Sequence, residues 1–195
     1  MRVLMISTIE RQPDNGWFAS CMNVIQQLDG KISLIRLDPS DFLFPNQISA
    51  ELVKHPNSLV IAHGAAALGL VSVAGRSLGP LAVGAILVKP FDCAISRKDF
   101  CFNSYMLSVP TAPLGCKALV VPLVPRTDPR YGRSRVHAAM WEAAFLSDAV
   151  DPETPISGTV NDFLRQSFNQ RMHLATSLQS KLTAQPGGRA HLYAV

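Results

Sequence analysis

One stretch constrains this chain more than any other: Ser58-Leu59-Val60-Ile61-Ala62-His63-Gly64-Ala65-Ala66-Ala67-Leu68-Gly69-Leu70. It opens as an apolar run rich in branched residues, which predicts a buried strand. From Ala62 to Ala66 every residue except His63 is tiny, and the Ala/Leu/Val segment that follows predicts a helix ending near Gly75. A strand turning sharply into a helix through small residues has the layout of a nucleophile elbow. The tip of such a turn is forced toward positive φ, and the positions two residues either side face a crowded junction where Gly or Ala fits. Those flanking positions are Ala62 and Ala66, and the tip is Gly64. The turn is written into the sequence, and the atom that would react is missing from it.

The rest of the chain supplies a core for such a turn. At 195 residues, 48% hydrophobic and 16% charged, it predicts a single globular domain over 1–184 with a C-terminal tail over 185–195. The net charge of +4 is mild, and basic residues are scattered apart from Arg126, Arg130, Arg133 and Arg135. That cluster reads as a solvated helix face, so no nucleic-acid partner is expected. The four cysteines, Cys21, Cys93, Cys101 and Cys116, show no CxxC spacing and no His pairing. They fit a reduced, cytoplasmic protein better than a disulfide framework, and no metal or cofactor is expected. The first apolar run is too short for a signal peptide. The region from Leu59 to Val88 is nearly uncharged, but Gly residues, His63, Arg76 and Pro80 interrupt it. It reads as strand–helix–strand, not as a membrane span of about 20 residues.

In chain order, strands are predicted over Arg2–Ser7, Ile32–Leu37, the opening stretch, Val83–Val88 and Ala118–Val124. Pro122 inside the last of these predicts an edge position or a bulge. A helix over Trp17–Leu28 carries an apolar stripe of Trp17, Phe18, Cys21, Val24, Ile25 and Leu28, and Gly30 ends it. A short helix is predicted over Asn46–Lys54. Another falls within Pro129–Leu146, with Val136, Ala139, Met140, Ala143 and Phe145 as most of its apolar side. A final helix runs over Thr159–Leu182, with Val160, Phe163, Leu164, Phe168, Leu174 and Leu178 toward the core. The region from Phe91 to Gly115 reads as a long excursion over the strand ends.

Apolar strands alternating with helices imply an α/β fold: a three-layer sandwich around a mostly parallel sheet. Such sheets carry their functional groups on loops beyond the carboxyl ends of the strands. That rule singles out Ser7–Gly16, His63–Ala66, Lys89–Cys93 and Pro125–Pro129.

The order of these segments resembles the small serine hydrolases of the retinoblastoma-binding-protein-9 and YdeN family, a compact branch of the α/β-hydrolase fold. The resemblance covers roughly residues 2 to 165. The family opens with a strand, a Gly-rich loop and a helix beginning at a Trp, matched here by Val3–Ser7, the following loop and Trp17. Its elbow reads A-H-S-x-G, matched by Ala62-His63-Gly64-Ala65-Ala66. Its next strand ends in V-A-P-x-D, matched by Val88-Lys89-Pro90-Phe91-Asp92. Its acid lies in a segment like S-x-D-P-Y, matched by Arg126-Thr127-Asp128-Pro129 with Tyr131 close by. Its G-H-I-N motif is matched by Gly158-Thr159-Val160-Asn161. The resemblance implies triad positions at Gly64, Asp128 and Thr159, and a pocket lined by Thr8, Ile9, His63, Ala65 and Asp92. The departures are chemical. Glycine stands at the nucleophile, threonine at the base, and Thr8-Ile9-Glu10-Arg11 replaces the Gly-rich turn on the oxyanion side.

Acyl transfer by a triad needs a nucleophile, a base to take its proton and a group to orient that base. Glycine cannot attack a carbonyl, and threonine is no base near neutral pH. In a related constellation on another fold, losing nucleophile or base costs about a millionfold in turnover. A non-Gly residue at the tip would also cost about 1–3 kcal/mol in strain, a cost that Gly64 removes. Other candidates each have a simpler structural reading. His63 reads as a core histidine, Ser7 as a strand-end hydroxyl, Cys93 as an inert thiol, His137 as a surface residue and Asp128 as a helix cap. The expectation is a catalytically degenerate hydrolase-like protein that binds a protein partner or a small ligand. The alternative is an altered esterase or amidase with a displaced nucleophile. Phe100, Phe102, Tyr105 and Met106, and the Arg165, Arg171 and Lys181 side of the last helix, are candidate contact surfaces. The sequence assigns no oligomeric state.

Overall fold

A computed structural model describes residues 1–8, 15–38, 44–91, 109–147 and 158–169, with backbone only at 15, 44 and 74–80. Six strands form one sheet: β1 (Arg2–Thr8), β2 (Lys31–Leu37), β3 (Ser58–His63), β4 (Ala82–Val88), β5 (Ala118–Val121) and β6 (Ala144–Phe145). Their order is β2-β1-β3-β4-β5-β6, and every neighbouring pair is parallel. The helices are α1 (Asn15–Gln27), α2 (Phe44–Lys54), α3 (Ala65–Leu81), α4 (Pro129–Met140) and α5 (158–169).

Strand alternation divides the core into two layers. Val3, Met5, Leu59, Ile61, Ile86 and Val88 face α1 and α5. Leu4, Ile6, Val60, Ala62, Ala85 and Leu87 face α2, α3 and the end of α4. Helices on both faces explain why β1, β3 and β4 are continuous apolar runs without polar alternation. The expected three-layer α/β sandwich is the observed architecture.

Several expectations need correction. The helix after the elbow continues to Leu81, through Gly75, Gly79 and Pro80. A helical glycine costs only about 1 kcal/mol, so it does not by itself stop a helix. β5 ends at Val121, so Pro122 lies beyond the ladder, and β5 is no edge because β6 pairs with it. The apolar side assigned to α4 holds only in part: Ala143 and Phe145 pack against the core, but from beyond the end of the helix. Its buried residues are Tyr131, Ser134 and Ala138, while Val136 and Met140 are exposed. Tyr131 can be buried because its hydroxyl donates to the Ser147 carbonyl at 2.7 Å. On α5, Val160, Phe163, Leu164 and Phe168 face the core as expected, while Leu174 and Leu178 lie outside the described residues.

Gly30 has a different task from the one expected. The left-handed residue after α1 is Asp29, at φ 53°. Gly30 N donates to Ile25 O at 2.8 Å and Asp29 N to Gln26 O at 3.0 Å, the paired bonds of a Schellman cap. A Cβ on Gly30 would stand 2.4 Å from Ile25 Cγ2 and 2.8 Å from Phe168 Cζ. Glycine is there for space between α1 and α5.

Candidate functional site

The carboxyl ends of the strands form the rim where the sequence placed its candidates. All six residues of β3 are buried, so the chain arrives at the rim from the centre of the sheet. It reverses at Gly64, whose φ is 60°. The Gly64 amide donates to Val88 O of β4 at 2.9 Å, and its carbonyl accepts from Ala67 N at 3.0 Å. One residue therefore ends the ladder and starts α3. Ala62 and Ala66 are fully buried on either side, and Ala65 is 8% exposed. The tight turn has the elbow's geometry, with hydrogen where a side chain would stand.

The next two strand ends repeat the reversal at greater cost. Lys89, just past β4, has φ 46° and donates its amide to Val121 O at 2.8 Å. Leu123, two residues past β5, has φ 45° and is buried. Left-handed backbone is unfavourable for a side chain as bulky as leucine. The sequence singled out Lys89 by its place beyond a strand end but not Leu123, and it showed the conformation of neither, because no pattern of residue types marks a non-glycine in this conformation.

His63 and Ser7 leave the sheet on the face covered by α1. His63 is 3% exposed, and its ring meets Phe18 edge-on at 5.9 Å between centroids. Ser7 is fully buried at the end of β1, one position beyond the Ile6–Ala62 register pair, which puts it beside His63. Its hydroxyl makes no hydrogen bond among the described residues, so no Ser7–His63 hydrogen bond exists. Thr8 closes β1 and is nearly buried, at 7%. Ile9, Asp92 and Cys93 lie outside the described residues, as do Phe100, Phe102, Tyr105, Met106, Arg171 and Lys181.

Asp128 follows β5, whose axis lies two strands from β3, about 10 Å away. It is the N-cap of α4, accepting from Arg130 N at 2.8 Å, with Pro129 in the first turn. The Arg130 side chain also holds it, through Nη2 to Oδ2 at 2.6 Å and Nε to Oδ1 at 3.0 Å. Those side-chain bonds, then the backbone bond, hold the Asp128 carboxyl at about 2, well below the usual carboxylate range. Its hydrogen-bonding capacity goes to its own helix. Thr159 is exposed on the first turn of α5, beside exposed Gly158.

The arginine cluster is more engaged than a solvated face implies. Besides Arg130, Arg126 donates to Ser147 O through Nε and Nη2 at 3.2 and 3.1 Å. Arg133 lies over the Phe91 ring at 4.8 Å. His137, expected on the surface, is half-buried, with its ring 4.9 Å from Phe91 and 5.5 Å from Trp141. This stack ties the end of β4 to α4, and Trp141 Nε1 extends it by donating to Pro110 O at 2.7 Å. Among the described residues no three His, Cys, Asp or Glu side chains gather as a metal site would need. None of the described helices is long and apolar enough to cross a membrane.

Comparison with known proteins adds one result at the level of fold. No family model and no curated protein sequence matches the chain. Several solved structures do, among them two crystal structures. One is a protein of Pectobacterium atrosepticum assigned as a YdeN-like hydrolase, with a TM-score of 0.59 at 14% identity over 85% of this chain and 90% of that one. The fold is that of the YdeN-like hydrolases. The ydeN gene product of B. subtilis is similar too, with a TM-score of 0.57 at 13% identity over 86% of this chain and 98% of that one. The architecture expected from the elbow and its flanking motifs is therefore the observed one.

Proposed function

We propose that this chain is a catalytically degenerate relative of the α/β hydrolases that serves as a binding module for a protein partner or a small ligand. One observation carries the reading: the elbow keeps its left-handed turn, and its tip is Gly64. The other triad positions support it. Thr159 is an exposed hydroxyl with no capacity to act as a base near neutral pH, and Asp128 is engaged by Arg130 and its own helix. A scaffold can keep its surface and cleft after its reaction is gone.

The alternative, an altered esterase or amidase, draws on the rim itself. Left-handed Lys89 and Leu123 keep strain of the kind that clusters at working sites. A fluorophosphonate probe and short p-nitrophenyl esters separate the two readings. The binding-module reading expects no labelling and no turnover above buffer. It also expects none from Gly64→Ser, since no base is restored. Labelling of one Ser or Cys, abolished by its replacement, would overturn it.

A further inference from the structure

On the α1 side of the sheet, near the elbow, two polar side chains are buried. Ser7 and Trp17 are fully buried, and neither Ser7 Oγ nor Trp17 Nε1 has a hydrogen-bond partner among the described residues. Contacts link the two. Ser7 stands beside His63 in the sheet, the His63 ring meets Phe18, and Phe18 meets Trp17 edge-on at 5.8 Å. All four belong to one face and one end of the sheet, where the first turns of α1 cover the ends of β1 and β3.

An indole N–H only donates, and a serine hydroxyl can donate or accept. Buried groups of this kind are satisfied in native proteins, and where protein partners are lacking an ordered water commonly serves. We propose that Ser7 and Trp17 share one buried water molecule beside His63. Its oxygen accepts from Trp17 Nε1, and Ser7 Oγ makes the second bond. Such a water would join the end of β1 to the first turn of α1 directly below the turn at Gly64. It uses neither the rim nor the triad positions, so it stands whether or not the chain is inert.

The chain provides its own control, because it has two tryptophans and the Trp141 indole is already bonded to Pro110 O. Water-to-indole cross-relaxation is measured on the nitrogen-15-labelled full chain, with Trp141→Phe assigning the two signals. The expected result is a cross-peak from a long-lived water at the Trp17 indole and none at Trp141. In Ser7→Ala the Trp17 cross-peak should fall at least threefold, with the Trp141 signal unmoved. A wild-type Trp17 indole with no water cross-peak overturns the proposal without any variant having to fold. A cross-peak of unchanged strength in Ser7→Ala overturns the sharing.

Discussion

Arg130 closes on the carboxylate of Asp128 from two residues along the chain, with Nη2 2.6 Å from Oδ2 and the backbone amide 2.8 Å from Oδ1. The acid of the Asp128-Pro129 segment is thus the capping group of α4.

That relationship sets a pH dependence. The folded-state value is about 2, whereas an unfolded aspartate titrates near 4. A carboxyl held low by the fold contributes stability that is complete above the unfolded value and is lost as pH falls from about 4 toward 2. Asp128→Asn keeps a capping side chain and removes the charge. The gap in Tm between wild type and Asp128→Asn should be constant above about pH 5 and shrink toward pH 2. Asp128→Ala, which removes the cap as well, should melt below Asp128→Asn at neutral pH.

The end of α1 offers a pair of opposite effects. Asp29 occupies a left-handed position at φ 53°, so Asp29→Gly should be neutral to stabilising, by up to about 1 kcal/mol. Gly30→Ala places a methyl against Ile25 and Phe168 and should cost about 1–3 kcal/mol. Urea unfolding of the two variants measures both signs. Equal effects would mean that Gly30 is not the spacer between α1 and α5.

Trp141 bridges α4 to the segment before β5. Trp141→Phe keeps much of the ring contact with Phe91 and loses the bond to Pro110 O, for about 1 kcal/mol. Trp141→Ala removes a fully buried ring and should cost about 3–5 kcal/mol. Denaturant midpoints of the two variants give the division between hydrogen bond and packing.

Burial pushes the Cys116 thiol up to about 11 and the Cys21 thiol higher still. At pH 8 the Cys116 thiolate is about a hundredfold scarcer than in an unfolded chain. Iodoacetamide labelling mapped by mass spectrometry should therefore be about a hundredfold slower at Cys116 in the native protein than in urea. The same shift makes this thiol's contribution to stability complete below about pH 8.5 and lost as pH rises from there through about 11.

What the sequence made legible follows from what each element is asked to do. β1, β3 and β4 are buried on both faces, so they are unbroken apolar runs that can be read by eye. The elbow was legible because only tiny side chains fit its junction. α4 was misread because hydrophobicity alone picks Val136 and Met140, whereas Tyr131 and Ser134 take the inward positions. β6 is two residues long, too short to carry a pattern. At the rim, the identity of Gly64 could be read directly. The claim of Arg130 on Asp128 could not, because a charged residue in a basic cluster looks the same whether it is solvated or engaged.

The two borders of the sheet are unequal. β6 offers two residues, while β2 offers seven, with Leu34 53% exposed along it. An extended peptide that joins a sheet does so through main-chain hydrogen bonds, rung by rung. Among the described residues, a guest strand would find a ladder of seven residues beside β2 and of two beside β6, so growth of this sheet by recruitment would be one-sided.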